Sequence, residues 1–197
     1  MDEVKKIFGY AINTFRKNKN NCVIKKYWNF EDIPQEYLVY NNNKEGEYKN
    51  YHKNGQLNII CNYINGKKEG EYKQYSENGI LLLKCNYKND KIEGKDKYYN
   101  NGKLCSVFTY KNNKKEGEYI NYYNNGKIKE IKNYRDNKLN GEYKKYYENG
   151  NLWEVYNYKN EKVEGEYKEY YEGGQIKIIS NYINGYQEGK RTVKCQI

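Results

Sequence analysis

The sequence predicts an all-β repeat array: consecutive antiparallel β-hairpins of about 24 residues forming an elongated sheet, preceded by a short N-terminal helix. Three observations lead there. Glycines recur at a fixed interval, five of the six units carry an Asn-Gly hairpin signal, and tyrosines stand at set distances from those glycines.

The composition explains why tyrosine matters. Only 37% of the 197 residues are hydrophobic, 27 of the residues are tyrosines, and the mean hydropathy is -1.30. Such values ordinarily belong to disordered chains. Against that, 17% of residues are aromatic and periodically placed, and a tyrosine ring can be buried while its hydroxyl reaches water or a backbone partner. The chain is also basic, with 36 Lys and Arg against 26 Asp and Glu, a net charge of +10. That balance suits an anionic partner such as nucleic acid or a membrane surface. Glutamates flank the recurring glycine among the lysines, however, which reads as a solvated, salt-laced face.

The first element is a helix over residues 2 to 17, where Val4, Ile7, Phe8, Ala11, Ile12 and Phe15 recur at helical spacing. It suits packing over the open end of the array. A membrane-surface helix is the alternative, because Lys5, Lys6, Arg16 and Lys17 lie near it. The stretch "NFEDIPQEYL", with Pro34, is read as a connector, so residues 1–36 form helix and cap, 37–192 the hairpin repeats, and 193–197 a C-terminal tail.

Two glycine series define the repeats. Gly46, Gly70, Gly94, Gly117, Gly141, Gly165 and Gly189 follow Glu or Asn; Gly55, Gly79, Gly102, Gly126, Gly150 and Gly174 close the hairpins. Every step is 24 residues except one of 23 in each series, Gly94 to Gly117 and Gly79 to Gly102, which places a single deletion between Gly94 and Gly102. Each unit has a first strand of the form "GEYKxYY", a turn that is Asn-Gly in five units and Gly173-Gly174 in the sixth, with both central residues tolerant of positive φ, and a second strand. The second strand carries Leu or Ile two residues past the hairpin glycine, usually an apolar residue five past it, and Tyr eight past it. These offsets mix odd and even, so either a bulge shifts the phase or both faces are partly covered. About 14 strands at ~4.8 Å would give an array roughly 60 to 70 Å long. "EYLVYNNNKEG" and "EGKRTVKCQI" read as partial repeats at the two ends.

The pattern E-G-x-Y-x-x-Y-Y-x-N-G-x-L, with a later Tyr, resembles the MORN repeat variant and covers residues 37 to 192. The resemblance implies β-hairpins in an elongated sheet and a role as an interaction scaffold. It also implies two alternatives: an anionic-surface binder, as for relatives attributed to phosphoinositide membranes, or a toxin-neutralising protein, as bacterial relatives are often labelled. Members also occur in large DNA viruses, and the Asn, Lys, Ile and Tyr usage suits an AT-rich genome. Here Tyr stands where Trp frequently follows the glycine in similar chains.

Enzymatic chemistry is not expected. His52 is the single histidine and occupies a position that holds Ser76, Tyr99, Tyr123, Tyr147 and Tyr171 in other repeats, a poor home for a general base or a metal. There is no phosphate-binding glycine motif. The glutamate pairs read as cross-strand charge ladders. The five cysteines, Cys22, Cys61, Cys85, Cys105 and Cys195, lack metal-ligand spacing, and equivalent positions in neighbouring repeats are too far apart to bridge, so reduced thiols and an intracellular, cytoplasmic setting are expected. No apolar run reaches the ~20 residues of a membrane helix, and no secretory signal opens the chain.

The tyrosines Tyr51, Tyr75, Tyr98, Tyr122, Tyr146 and Tyr170 read as packing rather than stacking platforms for nucleic acid. Phe108, Trp153 and Tyr156 break the pattern, standing where other repeats carry Lys132, Lys129 and Ser180 among others. A position that tolerates lysine is expected to face solvent, so these three form the candidate partner patch, or else fill gaps left by a neighbouring repeat. No cofactor is expected. A protein partner is the first expectation, a homo-oligomer is compatible, and an anionic membrane or nucleic acid is the competing one.

Overall fold

A computed structural model describes residues 23–28, 34–40 and 43–194. The helix expected over residues 2 to 17, Cys22 and Cys195 lie outside the described residues. All elements among the described residues are strands, and the chain divides at Glu93 and Gly94 into two units.

The first unit contains β1 (Val23–Trp28), β2 (Pro34–Tyr40), β3 (Asn43–Tyr51), β4 (Leu57–Ile64), β5 (Lys67–Lys68), β6 (Gly70–Tyr75), β7 (Leu81–Lys88) and β8 (Lys91–Ile92). The strands pair antiparallel in chain order, with β4 paired to both β5 and β6. Two of these elements depart from expectation. β1 forms where no strand was foreseen, and β2 starts at Pro34 inside the supposed connector, a place that suits a residue without an N–H because it opens the strand.

The second unit contains β9 (Gly94–Asn100), β10 (Lys103–Lys111), β11 (Lys114–Tyr122), β12 (Ile128–Arg135), β13 (Lys138–Leu139), β14 (Gly141–Tyr146), β15 (Leu152–Lys159), β16 (Lys162–Tyr170), β17 (Ile176–Ile183) and β18 (Tyr186–Val193). Pairing is again antiparallel throughout and follows chain order, with β12 paired to both β13 and β14.

The turns are allotted differently from the sequence reading. At Asn54-Gly55 only the glycine has positive φ, +83°. The Gly55 N–H donates to the His52 carbonyl at 2.9 Å and the His52 N–H donates to the Gln56 carbonyl at 2.8 Å, which closes a three-residue loop. The loops ending at Gly79, Gly126, Gly150 and Gly174 are built the same way. The two-residue turns with both φ positive lie instead between repeats, at Asn65-Gly66, Asn89-Asp90, Asn112-Asn113, Asp136-Asn137, Asn160-Glu161 and Asn184-Gly185.

One hairpin inside a repeat does use the two-residue form. Asn101 and Gly102 both have positive φ, 47° and 75°, and Asn100 pairs directly with Lys103. The missing residue of that repeat has therefore been taken out of the turn, and the strand register is kept. Tyr99 pairs with Leu104 as Tyr51 pairs with Leu57, so Tyr99, and not Tyr98, holds the position of the invariant tyrosines. Asp96 replaces Tyr48.

A bulge resolves the mixed offsets. In all six repeats the third residue after the hairpin glycine is left over when the register shifts: Asn58, Leu82, Cys105, Lys129, Trp153 and Lys177. The extra residue brings the apolar residues two and five past the glycine onto one face and puts the tyrosine eight past it on the other. Both alternatives left open by the sequence therefore hold.

The recurring "EG" has a local purpose too. The first glutamate caps a turn twenty residues on: Asn65 N donates to Glu45, Asn89 N to Glu69, Asp136 N to Glu116 and Asn184 N to Glu164, at 2.8 to 2.9 Å. The second pairs with the lysine two along its own strand, as Glu47 with Lys49 and Glu166 with Lys168. For these glutamates the expected cross-strand charge ladder is thus mainly turn capping plus pairing within a strand, and Glu71 also reaches across to Lys84.

Candidate functional site

In each unit one face of the strands carries an aromatic ladder. In the first unit Tyr48 meets Tyr63 and Tyr72 meets Tyr87 edge to face, at 5.7 and 5.5 Å between centroids. Cys61 and Cys85 are buried among these rings with Ile59 and Leu83. Burial pushes the Cys61 thiol up and the Tyr72 phenol up to about 12. Lys44 and Lys68 lay their ammonium groups over the ring pairs, 4.5 to 5.3 Å from the centroids. Cys61, Cys85 and Cys105 are not bridged to one another.

The second unit carries the same ladder in a more polar form. Phe108 stands opposite Asp96 and Tyr119. Its ring lies 4.3 Å from Tyr119, 5.9 Å from Tyr98 and 6.1 Å from Tyr110, with the Lys115 ammonium 4.3 Å away. Phe108 thus occupies the space that opens where Asp96 replaces a ladder tyrosine. Asp96 is 1% exposed; Tyr98 donates its hydroxyl to Oδ2 at 3.0 Å, and Oδ1 has no partner. Burial raises the Asp96 pKa, with the Tyr98 bond acting more weakly in the opposite direction.

Lys132 lies between Tyr119 and Tyr143, 5.6 and 5.8 Å from their centroids, and its ammonium is 3.2 Å from Glu130. A lysine at this position is therefore part of the ladder. The premise that lysine marks a solvent-facing site fails for Phe108 and Tyr156, because an ammonium can replace a ring edge over an aromatic face.

Tyr156 continues the row. It stacks on Tyr143 at 4.6 Å, meets Tyr158 at 5.3 Å and leans on Tyr167 at 5.4 Å, and burial pushes its phenol well up. Trp153, the bulge residue, stacks on Tyr147 at 5.1 Å with 15° between planes, and the Lys145 ammonium sits 3.8 Å from its centroid. Lys145 is 3.8 Å from Glu154, whose carboxylate accepts the Tyr167 hydroxyl at 2.9 Å. The three candidate residues are therefore joined through one ladder, running from Phe108 through Tyr119, Lys132, Tyr143 and Tyr156 to Tyr167, with Trp153 attached through Lys145 and Glu154. All three are half-buried.

Lys145, Tyr147, Glu130, Glu154 and Glu169 escaped the sequence reading. The carboxylates are 15 to 18% exposed and hold Lys132, Lys145 and Lys177. The signal for them was available: the positions of Glu130 and Glu154 are Ile59 and Leu83 in the first unit, so the same row changes from apolar to acidic.

His52 is half-buried rather than exposed, with Nε2 bonded to the Tyr75 carbonyl at 2.8 Å. A depression of about 330 Å³ in the first unit is lined by Glu47, Ile60, Glu69, Gly70, Glu71 and Lys73. Its carboxylates are committed: Glu47 to Lys49, Glu69 to the Asn89 N–H, and Glu71 to Lys73 and Lys84. Among the described residues no group of three or more His, Cys, Asp or Glu could hold a metal ion.

Comparison with curated proteins finds no match. The MORN repeat variant family matches residues 44–65, 68–89, 97–112, 115–136, 139–160 and 163–184. The short third match begins just past Asp96, where the repeat has lost its tyrosine and shortened its turn. Six matches in register across most of the sequence, on hairpins of one design, place the chain in that family: it belongs to the MORN repeat variant family.

Proposed function

We propose that the protein is a non-catalytic interaction scaffold that holds a protein partner on the aromatic face of its second unit. One observation carries this reading. The ladder there departs from the apolar packing of the first unit by adding Trp153, Tyr156 and Phe108 beside Lys145, Glu154 and Glu130. Trp and Tyr held rigidly by neighbours, with charged groups close by, are the residue types that anchor protein interfaces.

The test is capture by the full chain from its native source, at low and high salt, with wild type beside Trp153→Lys and Tyr156→Ser. These substitutions install the residues found at the same positions one repeat later, Lys177 and Ser180, so the fold is kept. One protein recovered by the wild type at both salt concentrations and lost with both variants supports the reading. Equal recovery by all three overturns it.

A further inference from the structure

Along one rim of the second unit the strands are joined by two-residue turns, and basic residues face each other across three of the four; at the fourth, Asn184-Gly185, Ile183 faces Tyr186. Lys111 pairs with Lys114, Arg135 with Lys138 and Lys159 with Lys162. Lys88 and Lys91 repeat the arrangement in the first unit. All eight are exposed. Like charges directly opposite each other destabilise a hairpin, so four matched pairs work against the fold they belong to.

Neutralisation is slight. Lys114 reaches Asp136 at 2.7 Å, and among the described residues Lys111, Arg135, Lys138, Lys159 and Lys162 make no ion pair. Residues 111–114, 135–138 and 159–162 hold six basic and two acidic side chains, a net of +4. The opposite rim of the same unit, residues 100–103, 123–127, 147–151 and 171–175, balances Lys103 and Lys127 against Glu148 and Glu172, a net of zero. On the sheet face opposite the ladder the lysines are already paired, as Lys144 with Glu142 and Lys168 with Glu166.

We propose that this rim binds the phosphate backbone of a single-stranded nucleic acid, independently of base sequence. Six successive strand ends carry a cation, and neighbouring strands lie ~4.8 Å apart, so the charges form a row about 24 Å long. A row one sheet wide matches a linear polyanion better than the plane of headgroups on a bilayer. The three basic turn segments hold no apolar or aromatic side chain; the exposed Ile183 and Tyr186 flank the fourth turn, outside the cationic row, and comparison with phosphatidylserine vesicles tests whether they seat a membrane instead. Asn112, Asn113, Asn137 and Asn160 add amides beside the cations, and the lack of a stacking platform leaves the bases unread. The rim and the aromatic ladder are different surfaces, so either can fail without the other.

The test is fluorescence anisotropy of the full chain with a labelled oligothymidylate of about 20 nucleotides, titrated between 50 and 200 mM salt. Six phosphate contacts give a slope of log K against log salt of about -4. Replacing all six rim residues with Gln should weaken binding by about tenfold or more, without lowering the thermal midpoint because repulsion is removed. A milder pair, Arg135→Gln with Lys138→Gln, should reduce the slope by about 1 and keeps the test open if the sixfold variant fails to fold. Lys103→Gln with Lys127→Gln, on the opposite rim, should change nothing. The proposal is overturned by no oligonucleotide binding at 50 mM salt, by equal loss from either rim, or by phosphatidylserine vesicles being bound in preference to the oligonucleotide.

Discussion

Glu45 accepts a hydrogen bond of 2.8 Å from the backbone N–H of Asn65, twenty residues away and in the next turn of the sheet. The same bond recurs from Asn89 to Glu69, from Asp136 to Glu116 and from Asn184 to Glu164. At the corresponding place before Gly141 the chain has Asn140, a shorter side chain. Glu116→Ala should therefore destabilise the protein by roughly 0.5–1.5 kcal/mol, the net worth of one such bond near the surface. Asn140→Glu should add about as much. Urea denaturation of the full chain checks both, and an unchanged midpoint in each would show that the cap is incidental.

Asp96 gives a pH dependence whose sign is fixed by its burial. Its native pKa is raised above the ordinary 3.8 by loss of solvent, which outweighs the Tyr98 bond. The native state therefore favours the protonated carboxyl. The associated stability is fully present below the unfolded pKa and is lost as pH rises through the native value. Asp96→Asn keeps the shape and removes the titration, so wild type should fall behind this variant as pH increases from about 4 to 7. Denaturation curves for both proteins across that range decide the matter; parallel curves would contradict the burial.

The repeat glycines are not equivalent. Gly165 and Gly141 both have positive φ, 82° and 108°. A Cβ at Gly165 would meet open space, whereas one at Gly141 would lie 3.1 Å from the Asn133 Cβ. Gly165→Ala should cost about 1–2 kcal/mol through the backbone alone, and Gly141→Ala clearly more. Equal losses would mean that the neighbouring side chain moves aside freely.

Phe108 should be the most sensitive of the three candidate patch residues. It contacts Tyr98, Tyr110 and Tyr119 and faces Asp96, so no ring opposite can close the space if it is removed. Phe108→Ala is expected to cost roughly 2–4 kcal/mol, against less for Tyr156→Ser, whose position is already serine at Ser180. Thermal denaturation of the two variants side by side measures the difference.

The sequence by itself determined the array. Glycines every 24 residues, one residue lost near Gly102, and tyrosines in fixed register sufficed for the repeat, the strands and the family resemblance. Such features are local, because a turn residue or a ring acts at its own position in every copy. Only the tertiary structure decided which face each side chain takes and what it meets there. Alternation along a strand is reset by the bulge at residues such as Trp153, which sequence spacing could suggest but not assign. Asn-Gly permits a two-residue turn, yet inside the repeats loop length and pairing made it a three-residue loop except at Asn101-Gly102, while between repeats Asn65-Gly66 and Asn184-Gly185 keep the two-residue form. Glu45, Glu69, Glu116 and Glu164 find their partners twenty residues on, and the lysine at position 132 finds two rings from neighbouring strands. These contacts arise where strands distant in sequence come side by side, and the pairing register sets that.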